Sequence, residues 1–284
     1  MSSRSNEDRL GIDVDLPKEA KDLDGSSLKF ITPTEFVELP SRGKFYFPDH
    51  PLHNQEVVEI KHMTTKEEDI LTSTALLKNG LALDRMLESI IVDKRINIGS
   101  LLLGDKNALI ISARAHAYGT QYDTSVICPS CSESQEYSFD LESLGYDFPS
   151  KEKLEDLNIT LTNNGTFLVS LPKSDYTIEL KLLIADDEKR MSRLSERKKK
   201  RNFPETPVSD LLKNIIVSIN DIYEEETINN FINTLPAMQT RYIRRVYNKL
   251  VPSLDLEHSF LCTYCNHEGA LEVPLNADFF WPNE

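Results

Sequence analysis

The sequence predicts an α+β fold of two tandem related halves, each a strand, three helices and a hairpin that turns on a Cys-x-x-Cys knuckle. Three observations carry this. Four segments recur in the same order: "FVELPS" resembles "LVSLPK", "VEIKHMTTKEE" resembles "IELKLLIADDE", "RMLESIIV" resembles "DLLKNIIV", and "SVICPSCSESQEYSFDL" resembles "SFLCTYCNHEGALEVPL", at offsets of 132, 120, 125 and 134 residues. The last pair holds the only four cysteines of the 284-residue chain, Cys128, Cys131, Cys262 and Cys265. Each copy also passes from an alternating apolar pattern to paired apolar positions at helical spacing.

Residues 1–30 are polar, charged and without periodicity, which predicts a flexible N-terminal arm. The first half spans 31–146, a short polar linker 147–165, and the second half 166–284. In each half a Leu-Pro segment leads into a strand. Its inward face holds Val58, Ile60 and His62 in one copy, and Ile178, Leu180 and Leu182 in the other. A helix then starts at Thr64 or Thr65, with Glu67 or Glu68 at capping-box spacing, and stops at Asn79-Gly80. The next helix buries Met86, Leu87, Ile90 and Ile91, matched by Leu211, Leu212, Ile215 and Ile216. A third runs through "DKNALIISARAHAYG" and, in the second copy, "TLPAMQTRYIRRVYNKL", where Thr234 is read as N-cap and Pro236 as part of the first turn. Each half closes with a strand, the Cys-x-x-Cys turn and another strand.

A strand entering and a strand leaving Cys-x-x-Cys make a knuckle that points two thiolates to one side. A closed zinc site needs four. Although 130 residues separate Cys131 from Cys262, two similar halves packed about a pseudo-two-fold axis would set their knuckles face to face. The expectation is one structural zinc ion per chain, held by Cys128, Cys131, Cys262 and Cys265 in a shared zinc-ribbon-like site that clasps the halves. An iron–sulfur cluster also accepts four thiolates, and free buried cysteines are the plainest alternative. His258 and His267 stand close enough in sequence to substitute as ligands. A thioredoxin-like pair would be followed by a helix, but strands follow here. Covalent haem attachment needs His after the second cysteine, where Ser132 and Asn266 stand.

Lys and Arg number 32 against 46 Asp and Glu, a formal charge of −14. Such a chain repels nucleic acid and anionic membrane over most of its surface. No apolar run reaches the length of a membrane span, and "MSSRSNEDRLGIDVD" has no signal-peptide core. A soluble protein of a reducing cytoplasm is expected. The one basic cluster, "KRMSRLSERKKKR", is read as a solvated helix face in preference to a nucleic-acid contact. The aromatic loop "RGKFYFPDHP" either anchors a partner or caps its own core. No phosphate-binding glycine loop, nucleophile elbow or His-Glu-x-x-His is present. Asp186, Asp187 and Glu188 suit a helix start, and His116 is read as a helix-face residue in preference to a base. No enzyme is expected.

The stretch "LPSRGKFY", "VEIKHMTTKEEDILTS", "LLGDKNALIISARAHAYGTQYD" and "CPSC" resembles the baseplate hub and hub-assembly proteins of T-even-like contractile-tailed bacteriophages, best over residues 36–141. The resemblance implies a structural subunit or assembly factor of the tail baseplate hub. Such a protein would touch other phage baseplate and hub proteins, form an oligomer within the hub, and reside in the host cytoplasm during assembly and in the virion tail afterwards. A transient assembly chaperone absent from the finished virion is the second reading. A zinc-ribbon nucleic-acid-binding regulator is the reading from another class, and a redox enzyme using the cysteines is the third.

Overall fold

Alternation and helical spacing set the elements, and the computed structural model describes them over residues 32–275 and 277–280. Two units are distinguished, Met1–Pro33 and Thr34–Glu284. Only Thr32 and Pro33 of the first fall among the described residues, and the expected arm at 1–30 lies outside them.

In the second unit, β1 (Thr34–Glu38) pairs antiparallel with β2 (Val57–Lys61), Val37 opposite Val58. Val58 and Ile60 are buried, as their alternation predicts. In the loop between these strands Phe45 and Tyr46 are buried and Phe47 is 58% exposed, so the loop caps its own core and leaves one ring outside. α1 (Thr65–Thr72) begins where its sequence predicts. The Glu67 carboxylate accepts the Thr64 backbone N–H at 2.9 Å and its hydroxyl at 2.6 Å, satisfying a donor that a first helical turn leaves free. The helix does not run on to Asn79. It breaks at Ser73, which is extended at φ −62° and ψ 108°, and resumes as α2 (Thr74–Lys78). The run Thr72-Ser73-Thr74 offers hydroxyls that compete for backbone bonds, and Thr72 bonds back to the Glu68 carbonyl at 2.9 Å. α3 (Ala82–Ile90) buries Met86, Leu87 and Ile90, after which Ile91 leaves the helix and bridges Ile60. α4 (Leu103–Tyr118) leads to the first hairpin, β3 (Gln121–Ile127) with β4 (Ser134–Asp140).

Residues 146–161 carry β5 (Tyr146–Asp147), α5 (Lys151–Asp156) and β6 (Ile159–Leu161). A four-stranded antiparallel sheet follows, in the order β6, β7 (Phe167–Ser170), β8 (Thr177–Leu180), β9 (Ile216–Ile219). Between β8 and β9 lie α6 (Ala185–Lys200) and α7 (Pro207–Ile215). After β9 come α8 (Glu225–Thr234), α9 (Ala237–Leu250), β10 (Ser253–Leu254) and the second hairpin, β11 (Glu257–Leu261) with β12 (Glu268–Glu272). Ile216 leaves α7 to pair with Leu180, as Ile91 leaves α3 to bridge Ile60. Thr234 ends α8 and does not cap α9; the N-cap is Pro236, extended at φ −60° and ψ 142°. A residue before proline is driven out of the helical region, so the chain cannot continue as helix through Leu235.

The third residue of α4 and of α9 holds a Leu-Pro turn. Asp105 accepts from the Ser41 backbone N–H at 2.9 Å, the Ser41 hydroxyl at 2.6 Å and the Tyr46 hydroxyl at 2.7 Å. Gln239 donates to the Pro172 carbonyl at 3.2 Å. Burial pushes the Asp105 carboxyl up, against the lowering effect of those donors.

One cluster of buried apolar side chains runs through residues 37–280. Other contacts join the early elements to the late ones: β5 pairs with β10, and Leu102 bridges Ile184. Gly104 at the start of α4 lies so close to the chain before β10 that an added Cβ would stand 2.0 Å from the Pro252 carbonyl oxygen. Gly104→Ala is therefore expected to cost about 1–3 kcal/mol by overpacking. The check is a lower denaturant midpoint at unchanged slope; an unaltered midpoint would show that the two segments part freely.

Candidate metal centre

β3 alternates so that Tyr122 and Val126 face inward and Ile127 outward, which brings Cys128 in at the start of the turn. The Cys128 N–H donates to the Glu133 carbonyl at 2.9 Å, and the Ser132 N–H donates to the Cys128 carbonyl at 2.9 Å. The second turn repeats this: Cys262 N–H to the His267 carbonyl at 2.9 Å, Asn266 N–H to the Cys262 carbonyl at 3.0 Å. Each turn closes through a left-handed residue, Ser132 at φ 62° and Asn266 at φ 54°. Asn suits that conformation better than Ser.

The hairpins meet through their inner faces. The Tyr137 hydroxyl donates to the Ser259 carbonyl at 2.7 Å, and the Gln135 amide donates to the Leu261 carbonyl at 3.3 Å while accepting the Thr263 N–H at 2.9 Å. The Tyr137 ring stands edge-on to Phe139 and Phe260. This contact brings all four predicted cysteines together. The Cys128 and Cys265 sulfurs are 3.7 Å apart, as are those of Cys131 and Cys262. All four lie within 4.8 Å of one another. Exchanging the hairpins exchanges the two contacts, as a local two-fold would. The four cysteines are free of disulfides; Cys128 and Cys262 are buried, Cys131 half-buried and Cys265 exposed.

Four thiolates at about 2.3 Å around a tetrahedral ion would lie about 3.8 Å from each other. The sulfurs therefore fit one mononuclear ion. An iron–sulfur cube attaches its cysteines to separate iron atoms and spreads them more widely. The electrostatics agree. Burial pushes the Cys128 thiol up, but backbone N–H groups of Cys131 and Ser130 and the neighbouring sulfurs outweigh it and bring it down to about 6. At Cys131 a backbone N–H from Glu133 lowers the thiol, while burial and the other three cysteines raise it further, to about 12. Once Cys128 ionises, Cys131 beside it holds its proton. Four cysteines at this spacing could hold one cation.

His258 packs its ring against Phe139, centroids 5.3 Å apart, and neither it nor His267 belongs to the cysteine group. The other residues singled out by sequence lie elsewhere. Asp187 in the first turn of α6 binds Lys181 at 2.8 Å and Arg190 at 2.5 Å. His116 lies on the exposed face of α4, paired with Glu35. In the basic stretch Lys198 binds Asp210 at 2.6 Å and Lys199 binds Glu205 at 3.4 Å. Beside the first hairpin is a cluster that sequence reasoning missed. Arg114 is buried in α4, donates to the Phe279 carbonyl at 3.0 Å and the Gly119 carbonyl at 2.7 Å, and lies over the Tyr122 and Phe279 rings. Its parts are too far apart in the chain for any motif to register them. Among the described residues no helix is long and apolar enough to cross a membrane.

No curated protein and no solved structure shows a significant match to the chain. A family model described as T4 bacteriophage base plate protein matches residues 31–281. That span takes in every described element and both Cys-x-x-Cys turns, and the chain belongs to the T4 bacteriophage base plate protein family.

Proposed function

We propose that the chain is a subunit or assembly factor of the tail baseplate hub, that it works by binding other hub and baseplate proteins without catalysing a reaction, and that one zinc ion held by Cys128, Cys131, Cys262 and Cys265 braces its two hairpins. Membership of the base plate family carries this reading. A structural or assembly role in the phage baseplate and contact with other baseplate proteins follow from the family, which also favours a place in the virion tail over a transient role. The hub itself rests on the resemblance of residues 36–141. The 3.7 Å sulfur contacts support zinc. The paired Ile91 and Ile216 crossings, the Asp105 and Gln239 clamps and the matching turns support an origin by duplication. Within the basic stretch Lys198 and Lys199 pair with Asp210 and Glu205 inside the chain, which favours the baseplate reading over a nucleic-acid regulator.

The test is phage lacking this chain, supplied with it in trans. Unfinished tails without it, rescued on supply, are expected. Mass spectrometry of purified rescued tails then separates the roles, since a subunit is present in fixed ratio and an assembly factor is absent. Normal tails in its complete absence would end the reading. Elemental analysis of the isolated protein should find about one zinc per chain.

A further inference from the structure

β1 is an edge strand with no covering neighbour among the described residues. Its counterpart in the later half, β7, is covered by β6, with Ile159 opposite Val169 and Thr160 opposite Leu168. The geometry is the same in both places. The Leu39 N–H donates to Glu56 across the β1–β2 pair, and the Leu171 N–H donates to Tyr176 across β7–β8. Antiparallel bonding alternates along a strand. Val37 and Glu35 therefore face β2, while the N–H and C=O groups of Phe36 and Glu38 point to the open side. The corresponding groups of Leu168 and Ser170 are the ones directed at β6. A bare row of this kind is a template for another strand.

Beside that row is an open groove of about 400 Å³ between β1 and α4, floored by Ala108, Ile111, Ala115 and Leu144. The Phe36 ring stands at its mouth, 69% exposed. Glu38, Glu142 and His116 line the groove; His116 is paired with Glu35, and neither Glu38 nor Glu142 has a basic partner among the described residues. An aliphatic floor, unpaired backbone groups and an acidic rim specify one kind of occupant. We propose that the β1 edge docks an extended segment of a partner protein, aliphatic at alternate positions and basic at its ends, which adds as a strand where β6 adds to β7. This rests on the reading that the chain acts by binding other proteins, and it names the chemistry of one such contact. A second copy pairing its own β1 here would bring an equally acidic strand, with its own Glu35 and Glu38, onto a groove already lined by Glu38 and Glu142, which opposes that occupant.

The probe is a synthetic peptide of alternating isoleucine and threonine with lysines at both ends, added to the full chain. Strand addition should bring the Phe36 and Glu38 amides under hydrogen-exchange protection and leave Val37, already bonded to β2, unchanged. Phe36→Pro removes an outward N–H that β2 does not use, a position where an edge strand tolerates proline. It should weaken peptide binding by about tenfold or more while the circular dichroism and metal content stay those of the parent. An N-methylated peptide should fail likewise, and glutamate in place of the lysines should bind less tightly. In phage, the folded Phe36→Pro chain should fail to rescue tails.

Each contrary result has its own meaning. Phe36 and Glu38 amides already protected in the free chain would mean that the edge is filled from within, and the proposal falls. Peptide binding indifferent to Phe36→Pro also overturns it, as does a concentration-dependent dimer abolished by that substitution, which assigns the edge to a second copy. Normal tails with Phe36→Pro would remove the docking role and leave the baseplate reading intact. That reading fails only if phage without the whole chain build normal tails.

Discussion

Replacing either Cys128 or Cys262 by serine is expected to strip most of the bound metal, and replacing both should look little worse than replacing one. The two sulfurs occupy equivalent places, each the buried first cysteine of its turn and each 3.7 Å from a sulfur of the opposite hairpin. Either substitution leaves three thiolates and an open coordination position, and metal affinity should fall roughly a hundredfold or more. Elemental analysis after dialysis against a weak chelator measures it. Two independent two-cysteine sites predict instead that each single variant keeps half its metal and the double loses all; that result would break the shared site. Acid should act in the same direction. Metal binding must displace protons, because the Cys131 thiol lies near 12 when no ion offsets its neighbours. As pH falls protons compete for every sulfur, so affinity falls with it.

The same substitutions should not separate the early and late elements. From sequence alone the metal is the clasp between two packed halves. The fold has others that need no metal: the β5–β10 pair, the Leu102–Ile184 bridge and the close approach of Gly104 to Pro252. Metal loss should fray the two hairpins and the Tyr137 contact between them, leaving the shared core cooperative. Hydrogen exchange would show this as rapid exchange confined to β3, β4, β11 and β12.

What was legible in the sequence is what local chemistry decides. Cys-x-x-Cys between two alternating runs can be little else than a turned hairpin, and it puts two sulfurs on one side whatever surrounds it. The buried face of α3 follows from Met86, Leu87 and Ile90, and the start of α1 from a Thr with Glu three residues on. The break at Ser73 and the end of α8 at Thr234 were also written locally, in a hydroxyl run and in Leu235-Pro236, but an apolar pattern continuing past them hides both. Long-range pairing leaves no such trace. β6 reads as polar linker because only Ile159 of its three residues is buried, against β7. Nothing local to Asp105 marks it as buried; Ser41 and Tyr46, far upstream in the chain, close over it.

Phe279→Ala is expected to lower stability by about 3–5 kcal/mol, the range for emptying a fully buried phenylalanine site. The ring is completely buried, stands edge-on to Tyr122 at 4.9 Å and carries the Arg114 guanidinium at 5.4 Å from its centre. Arg114 is buried without a carboxylate partner among the described residues, and its charge is held by the Phe279 and Gly119 carbonyls and two aromatic faces. Burial lowers its pKa accordingly. Removing the ring opens a cavity beside a charge that then lacks half its cation–π contact. Arg114→Met tests the other side. It keeps the bulk of the side chain and orphans two carbonyls, at about 1–3 kcal/mol each. Because the groups touch, the double variant should lose less than the two singles together. Chemical denaturation gives the numbers, and metal content provides the control. The metal should stay at the parent value in folded Phe279→Ala, since this contact ties the last described turn (Ala277–Phe280) to α4 and lies beneath the first hairpin, away from its tip. A loss below about 1 kcal/mol, or metal release from the folded variant, would show that this contact is not what anchors the Ala277–Phe280 turn to α4.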